Sequence, residues 1–243
     1  MRIKCLLALV LGSAMVAPAA YAYDYSYLCP NYIVSYPYVG VMFDWIKLQN
    51  SVQVLFPDNG TPNPAINDGT DFSSAQAIGS ADLGMVARWG KWYFAGEAST
   101  QPFRITDTQN WVGNNTGMPY YSKVQLTDVV NLDAIPGYYI TPKVLMYVRG
   151  GVAFSKLVLQ QNNFLGTDYS YQKTVAAPRF GVGFDFAVAK NLGLGVDYIY
   201  TYYATLKNGR DIPTPTGQLP ATFQIKSYTN QLGLHLTYKF DYC

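Results

Sequence analysis

Between positions 232 and 240 the chain places Leu232, Leu234, Leu236, Tyr238 and Phe240 at every second position, with Gly233, His235, Thr237 and Lys239 between them. A period of two predicts a strand with one apolar face, and its length and aromatic ending suit a tilted crossing of a thin bilayer. The same alternation predicts seven earlier strands, over 38–48, 81–89, 92–100, 124–139, 144–157, 179–188 and 192–203, with the eighth over 227–240.

The connections fall into two classes. Short ones lie at Gly90-Lys91, Thr141-Pro142-Lys143 and Ala189-Lys190-Asn191. Long ones carry Pro57-Asp58-Asn59-Gly60, Asn67-Asp68-Gly69, Asn114-Asn115-Thr116-Gly117 and, before the last strand, Pro213, Pro215, Gly217 and Pro220. Turns on one side and loops on the other predict an all-β fold: an eight-stranded antiparallel up-and-down transmembrane β-barrel with short periplasmic turns and four long extracellular loops. A soluble calycin-type barrel shares the period of two and is the rival fold, so the composition of the second face has to decide.

Phe180, Val182, Phe184, Phe186 and Val188 oppose Arg179, Gly181, Gly183, Asp185 and Ala187. Val144, Met146, Val148, Val152 and Phe154 oppose Leu145, Tyr147, Arg149, Gly151, Ala153 and Ser155, and in the seventh strand Leu192 to Tyr202 oppose Gly193, Gly195, Asp197 and Thr201. Glycine weakens a strand, so its repeated use on one face points to a steric limit there, as in a crowded lumen. Parity adds Asp44, Asp82, Arg88, Glu97, Asp133, His235 and Lys239 to Arg149, Arg179, Asp185 and Asp197 as a polar lumen network. Opposite charges confined there are expected to pair, either as a structural plug or as a gate. Trp89 and Trp92 with Tyr238 and Phe240 mark one interface belt, and Tyr198, Tyr200 and Tyr202 the other.

Arg2 and Lys4, the apolar run that follows and the ending Ala20-Tyr21-Ala22 predict a signal peptide over 1–22, a periplasmic segment over 23–37 and the barrel domain over 38–243. Without the leader, fifteen bases face fifteen acids, which leaves no basic footprint for nucleic acid. Charged residues make up only 13% of the chain and aromatics 16%, a dry balance without a run long enough for a membrane helix. Cys29 and Cys243 flank the first and last strands, neighbours in a closed barrel, so they can form a disulfide at the periplasmic rim or remain two thiols. His235 is the one histidine; no second ligand completes a metal site and no serine stands recognisably beside it, so neither catalytic group nor cofactor is expected.

The leader, the strand order and the terminal Tyr238-Lys239-Phe240 resemble the OmpA-like family of small outer-membrane barrels. Asp133-Ala134-Ile135-Pro136-Gly137-Tyr138 through Thr141-Pro142-Lys143 is similar to that family's fourth and fifth strands, and Phe180-Gly181-Val182-Gly183-Phe184 with Lys190-Asn191-Leu192-Gly193-Leu194 to its sixth and seventh. Leu232, Leu234, Leu236, Tyr238 and Phe240 look like the C-terminal signal read by the barrel-assembly machinery, although Asp241-Tyr242-Cys243 follow where family barrels often end on the aromatic. No counterpart of the peptidoglycan-binding domain of larger relatives is expected. The resemblance implies an integral protein of a Gram-negative outer membrane, in contact with its lipid. Its expected function is a non-enzymatic scaffold for surface loops that meet a host or envelope ligand or support envelope integrity. The alternatives are a narrow porin-like channel and a lipid-modifying or proteolytic barrel.

Overall fold

Alternation of apolar and polar side chains carries the strands further than the eight segments above. The computed structural model describes residues 33–55, 57–58, 61–62, 68–113, 117, 119–163, 168–214 and 217–240. Its strands are β1 (Ile33–Leu55), β2 (Pro57–Asp58), β3 (Thr61–Pro62), β4 (Asp68–Trp89), β5 (Trp92–Gln101), β6 (Ile105–Val112), β7 (Pro119–Thr141), β8 (Val144–Asn163), β9 (Asp168–Ala187), β10 (Leu192–Thr214) and β11 (Gly217–Lys239).

All pairings are antiparallel, and the ring runs β1-β4-β5-β7-β8-β9-β10-β11 and back to β1. β6 lies beyond β5 along the same edge of β7, so the two form one stave interrupted at 102–104, where Pro102 lacks the N–H a ladder needs. Nine strands therefore make eight staves. Closure gives every stave two partners, the arrangement that satisfies backbone groups in lipid. β2 and β3 pair only with each other, Pro57 with Pro62 and Asp58 with Thr61.

Two features differ from the sequence reading. β1 begins at Ile33, so the last residues of the predicted 23–37 segment belong to the barrel; Pro37 lies opposite Met85, and its carbonyl accepts the Phe240 N–H at 3.0 Å. At the loop end the stave ends lie at Leu55 and Asp68, Val112 and Pro119, Asn163 and Asp168, and Thr214 and Gly217, so strand takes up much of what reads as loop. The connecting stretches are Thr-, Tyr-, Gln- and Val-rich as well as polar, and such residues hold a strand when neighbours pair with them.

At the other end the turns are tight. Gly90 opens the β4–β5 turn at φ +58°, a left-handed conformation that favours glycine. Register shifts occur in β7 between Thr127 and Val130, with Asp128 at φ +55°, and in β10 between Tyr203 and Leu206. The first places both Leu126 and Val129 inside, which an unbroken period of two forbids.

On the outer surface, Phe43, Trp45, Leu83, Met85, Phe94, Leu132, Val148, Phe180, Val182, Leu194, Leu232 and Leu234 stand exposed. Trp92 meets Tyr138 edge to face at 5.2 Å, and Tyr238 meets Phe240 at 4.9 Å, by the turn end. Tyr200 and Tyr228 approach at 5.9 Å farther up. The twelve steps from Tyr228 to Phe240, at about 3.3 Å each and a tilt of about 45°, span about 28 Å, the thickness of a bilayer core. The 23-residue β11 rises about 50 Å by the same measure, so nearly half of the barrel stands beyond the lipid.

Candidate functional site

The lumen is filled in layers. Nearest the turns, Tyr36, Tyr38, Val86, Tyr93, Ile135, Tyr139, Leu145 and Tyr147 form an aromatic cluster. Next come the charges. Cross-strand register places Glu97 opposite Asp133, Asp133 opposite Gly151, Gly151 opposite Arg179, and Asp197 and Asp44 on either side of Gly233, all at neighbouring heights.

Arg149 is the hub. Its Nη1 donates to Glu97 Oε1 and to Asp133 Oδ2, the latter at 2.9 Å, and its Nη2 lies 3.2 Å from Asp197 Oδ2. Arg179 Nε stands 3.4 Å from Asp133 Oδ1. Tyr38 donates to Glu97 Oε2 at 2.7 Å and Tyr147 to Asp197 Oδ2 at 3.4 Å, which ties the aromatic layer to the ionic one. Lys239 Nζ donates to Asp185 Oδ2 at 2.6 Å, closer to the turn rim. His235 Nδ1 is 3.9 Å from Asp197 Oδ2 and its ring lies 6.3 Å from that of Tyr147.

Asp44 takes neutral partners instead: Ser80 Oγ and Gln231 Nε2 each donate to it at 2.8 Å. Asp82 Oδ1 has no hydrogen-bond partner among the described residues. Arg88 shares the inward parity but not the network. It sits at the turn end of β4, nearer the rim than the charges, where its Nε donates to the Gly90 carbonyl at 3.0 Å and its guanidinium covers the Tyr139 ring at 4.1 Å. Parity assigns a face and leaves height open, which is why Arg88 falls outside the charge cluster.

The glycines show what crowds this space. Gly40 lies opposite Asp82, Gly84 opposite Tyr38, Gly183 opposite Tyr147 and Gly195 opposite His235. A Cβ at any of the four would collide with that partner's side chain. The predicted steric limit is thus a pairing rule: a bulky inward group lies across from a residue with no side chain.

Above the charges the lumen is mainly apolar, a layer absent from the sequence reading. Ile46, Leu48, Val52, Phe72, Ile78, Ile105, Val124, Leu126, Leu157, Leu159, Tyr203 and Ile225 pack as one buried cluster. At the loop end Val54, Trp111, Tyr120 and Phe223 close it, with Trp111 stacked on Tyr120 at 4.5 Å and its Nε1 donating to Ser122 Oγ at 3.0 Å. Asn50 Nδ2 donates to Asp107 Oδ2 at 2.8 Å, and Ser227 Oγ to Asn50 Oδ1 at 2.7 Å, beside this layer. The missed signal lies in Ile46, Leu48, Val52 and Val54, which share a face with Asp44 and so continue its parity.

Leu232, Leu234, Leu236 and Phe240 face outward as expected of a C-terminal lipid-facing strand, with Tyr238 half-exposed beside them. Cys29, Cys243 and the leader lie outside the described residues. Among the described residues no group of three or more His, Cys, Asp or Glu side chains is arranged to hold a metal ion.

Ail, the attachment invasion locus protein of Yersinia pestis, solved with the heparin analogue sucrose octasulfate, is 13% identical over 82% of this chain and 99% of its own, with a TM-score of 0.40. OprG of Pseudomonas aeruginosa is 12% identical over 87% of this chain and 98% of its own, with a TM-score of 0.49. The outer membrane protease OmpT of Escherichia coli is 8% identical over 84% of this chain and 97% of its own, with a TM-score of 0.50, a likeness of fold. No curated protein matches the chain in sequence. Residues 6–240 match the family model of the outer membrane protein beta-barrel domain; the chain belongs to that family, as an outer-membrane barrel of the OmpA-like type.

Proposed function

We propose that this protein is a non-enzymatic scaffold that presents its loop end to partners at the cell surface. The carrying observation is the apolar plug: Leu48, Val52 and Val124 have no solvent exposure, and with Ile46, Leu126 and Leu157 they fill the lumen above the charges. An eight-stave barrel has an interior only wide enough for side chains, and an ion meeting this layer would have to shed its water. Conduction is thereby disfavoured. Catalysis at His235 is disfavoured for a related reason, because the ring is buried between Tyr147, Asp197 and the wall, on the far side of the plug from the exterior. What remains accessible toward the exterior is the outer face of the half of the barrel beyond the lipid, where Val112 and Tyr121 stand exposed.

The test pairs two measurements on purified protein. Planar-bilayer recordings of wild type and Arg149→Ala are expected to show no discrete openings in either; openings in wild type would favour the channel. Binding to host cells and glycan surfaces is expected to fall when residues 56–67 are deleted. Equal binding by the deleted and intact proteins would reject the loop end as the contact surface.

A further inference from the structure

On the turn side of Arg149 lies a cavity of about 30 Å³, lined among others by Tyr38, Asp82, Glu97, Tyr147, Asp185 and His235. At roughly 10–15 Å³ per water-sized occupant, it accommodates about two such species. Its surroundings carry an excess of negative charge. Six carboxylates, Asp44, Asp82, Glu97, Asp133, Asp185 and Asp197, stand in this layer against three permanent cations, Arg149, Arg179 and Lys239.

The excess concentrates on Asp82. Its side chain lines the cavity and the residue is 6% exposed, yet Oδ1 has no hydrogen-bond partner among the described residues. Across the strands it faces Gly40 on one side and Ser99 on the other, and the Ser99 hydroxyl oxygen accepts from Asn131 at 3.0 Å. Asp185 Oδ1, also against the cavity, is unpartnered among the described residues, its Oδ2 being taken by Lys239. Asp185 has its countercharge in Lys239, whereas a buried carboxylate such as Asp82, with no cation bonded to it and one oxygen without a donor among the described residues, is costly and calls for a positive species that fits the cavity.

We propose that the cavity binds a small monovalent cation, of sodium or potassium size, together with its residual water. Hard oxygen donors line it, the Asp82, Glu97 and Asp185 carboxylates and the Tyr38 and Tyr147 hydroxyls, which donate to Glu97 and Asp197 and keep lone pairs free; Arg149 and Lys239 share the lining but are engaged by Glu97 and Asp185, which leaves the added charge to Asp82. Among the described residues no three His, Cys, Asp or Glu side chains converge to hold a metal ion, so the ion is held through its residual water and single contacts rather than by chelation, which suits a weakly coordinated monovalent ion. The size argues against an organic amine. The site would neutralise the lumen whether or not the loop end binds a partner, and would be filled from the turn side, where the lining includes Thr237 and Lys239.

The full-length folded protein in detergent is melted in sodium, potassium and N-methylglucamine chloride at equal ionic strength. Wild type is expected to unfold several degrees higher in the sodium or potassium salt than with the large organic cation. Asp82→Asn is expected to abolish that difference and to raise the midpoint in N-methylglucamine, while the exposed-site control Asp71→Asn keeps it. Identical wild-type midpoints in all three salts would mean that protons neutralise the carboxylates, and would overturn the site. So would an undiminished salt difference in folded Asp82→Asn. Should that variant not fold, sodium-23 relaxation on wild type decides: excess line broadening reversed by thallium(I) is expected, and its absence rejects the proposal.

Discussion

The turn-end and loop-end halves of this barrel are inside-out relative to each other, although the same strands build both. Along β1 the inward series runs from Asp44 to Ile46, Leu48, Asn50, Val52 and Val54, with Asn50 its one polar member past Asp44, while the outward series runs from Phe43 and Trp45 to Lys47, Gln49 and Ser51. Along β8 the inward Arg149 gives way to Ala153, Ser155, Leu157, Leu159 and Gln161, mostly apolar, and the outward Phe154 to Lys156 and Gln160. In the lower half lipid takes the apolar face, so the lumen carries the polar groups and must pair them. In the upper half water takes the outer face, and the lumen becomes the dry core of a soluble barrel. The change of solvent, rather than a change of fold, inverts the pattern.

The largest effect should come from the charged hub. Arg149→Ala leaves Glu97, Asp133 and Asp197 without their shared cation, and breaking a buried pair in this way costs about 4 kcal/mol. Urea unfolding in lipid vesicles is expected to show that loss. Arg149→Ala combined with Glu97→Gln and Asp197→Asn should recover part of it, and no recovery would mean that the arginine acts through packing alone. For the upper half the corresponding change is Leu157→Ala. A leucine with 1% exposure truncated in a packed core costs about 3 kcal/mol, measured in the same way, and a loss below 1 kcal/mol would show that the apolar layer is not a core.

Outward substitutions probe the inversion directly. Leu234→Arg sets a charge in the lipid belt and should cost about 2 kcal/mol or more, whereas Gln224→Arg, ten residues along the same outer face, should cost almost nothing. Equal costs at the two positions would erase the boundary between the halves.

How much of this is legible from the chain follows from what parity encodes. Face is readable: Phe180, Val182 and Phe184 stand out and Arg179, Asp185 and Asp197 turn in, because one residue shift would exchange every side chain. Height is not, since it depends on register between strands distant in sequence. The partners of Asp44 come from Ser80 and Gln231, and only the pairing of β1 with both β4 and β11 brings them together. β6 stayed hidden because Asp107, Thr108, Gln109 and Asn110 read as loop, and its strand state comes from β7 beside it. The apolar plug escaped for a different reason: a period of two is blind to which face meets water, and the inversion keeps the period while exchanging the faces.

The smallest effect concerns Arg88, the inward-parity cation outside the network. Its guanidinium covers Tyr139 at the turn rim, half-exposed, with one hydrogen bond to the Gly90 carbonyl. A cation–π contact of that kind contributes about 0.5–1 kcal/mol, so Arg88→Ala should lower stability by no more than that. Since the contact does not depend on a carboxylate, the loss should also persist in Arg88→Lys only in part, because an ammonium can sit over the ring but not stack on it. A cost for Arg88→Ala approaching that of Arg149→Ala would place Arg88 back among the paired charges, and would move the edge of the ionic layer down to the turns.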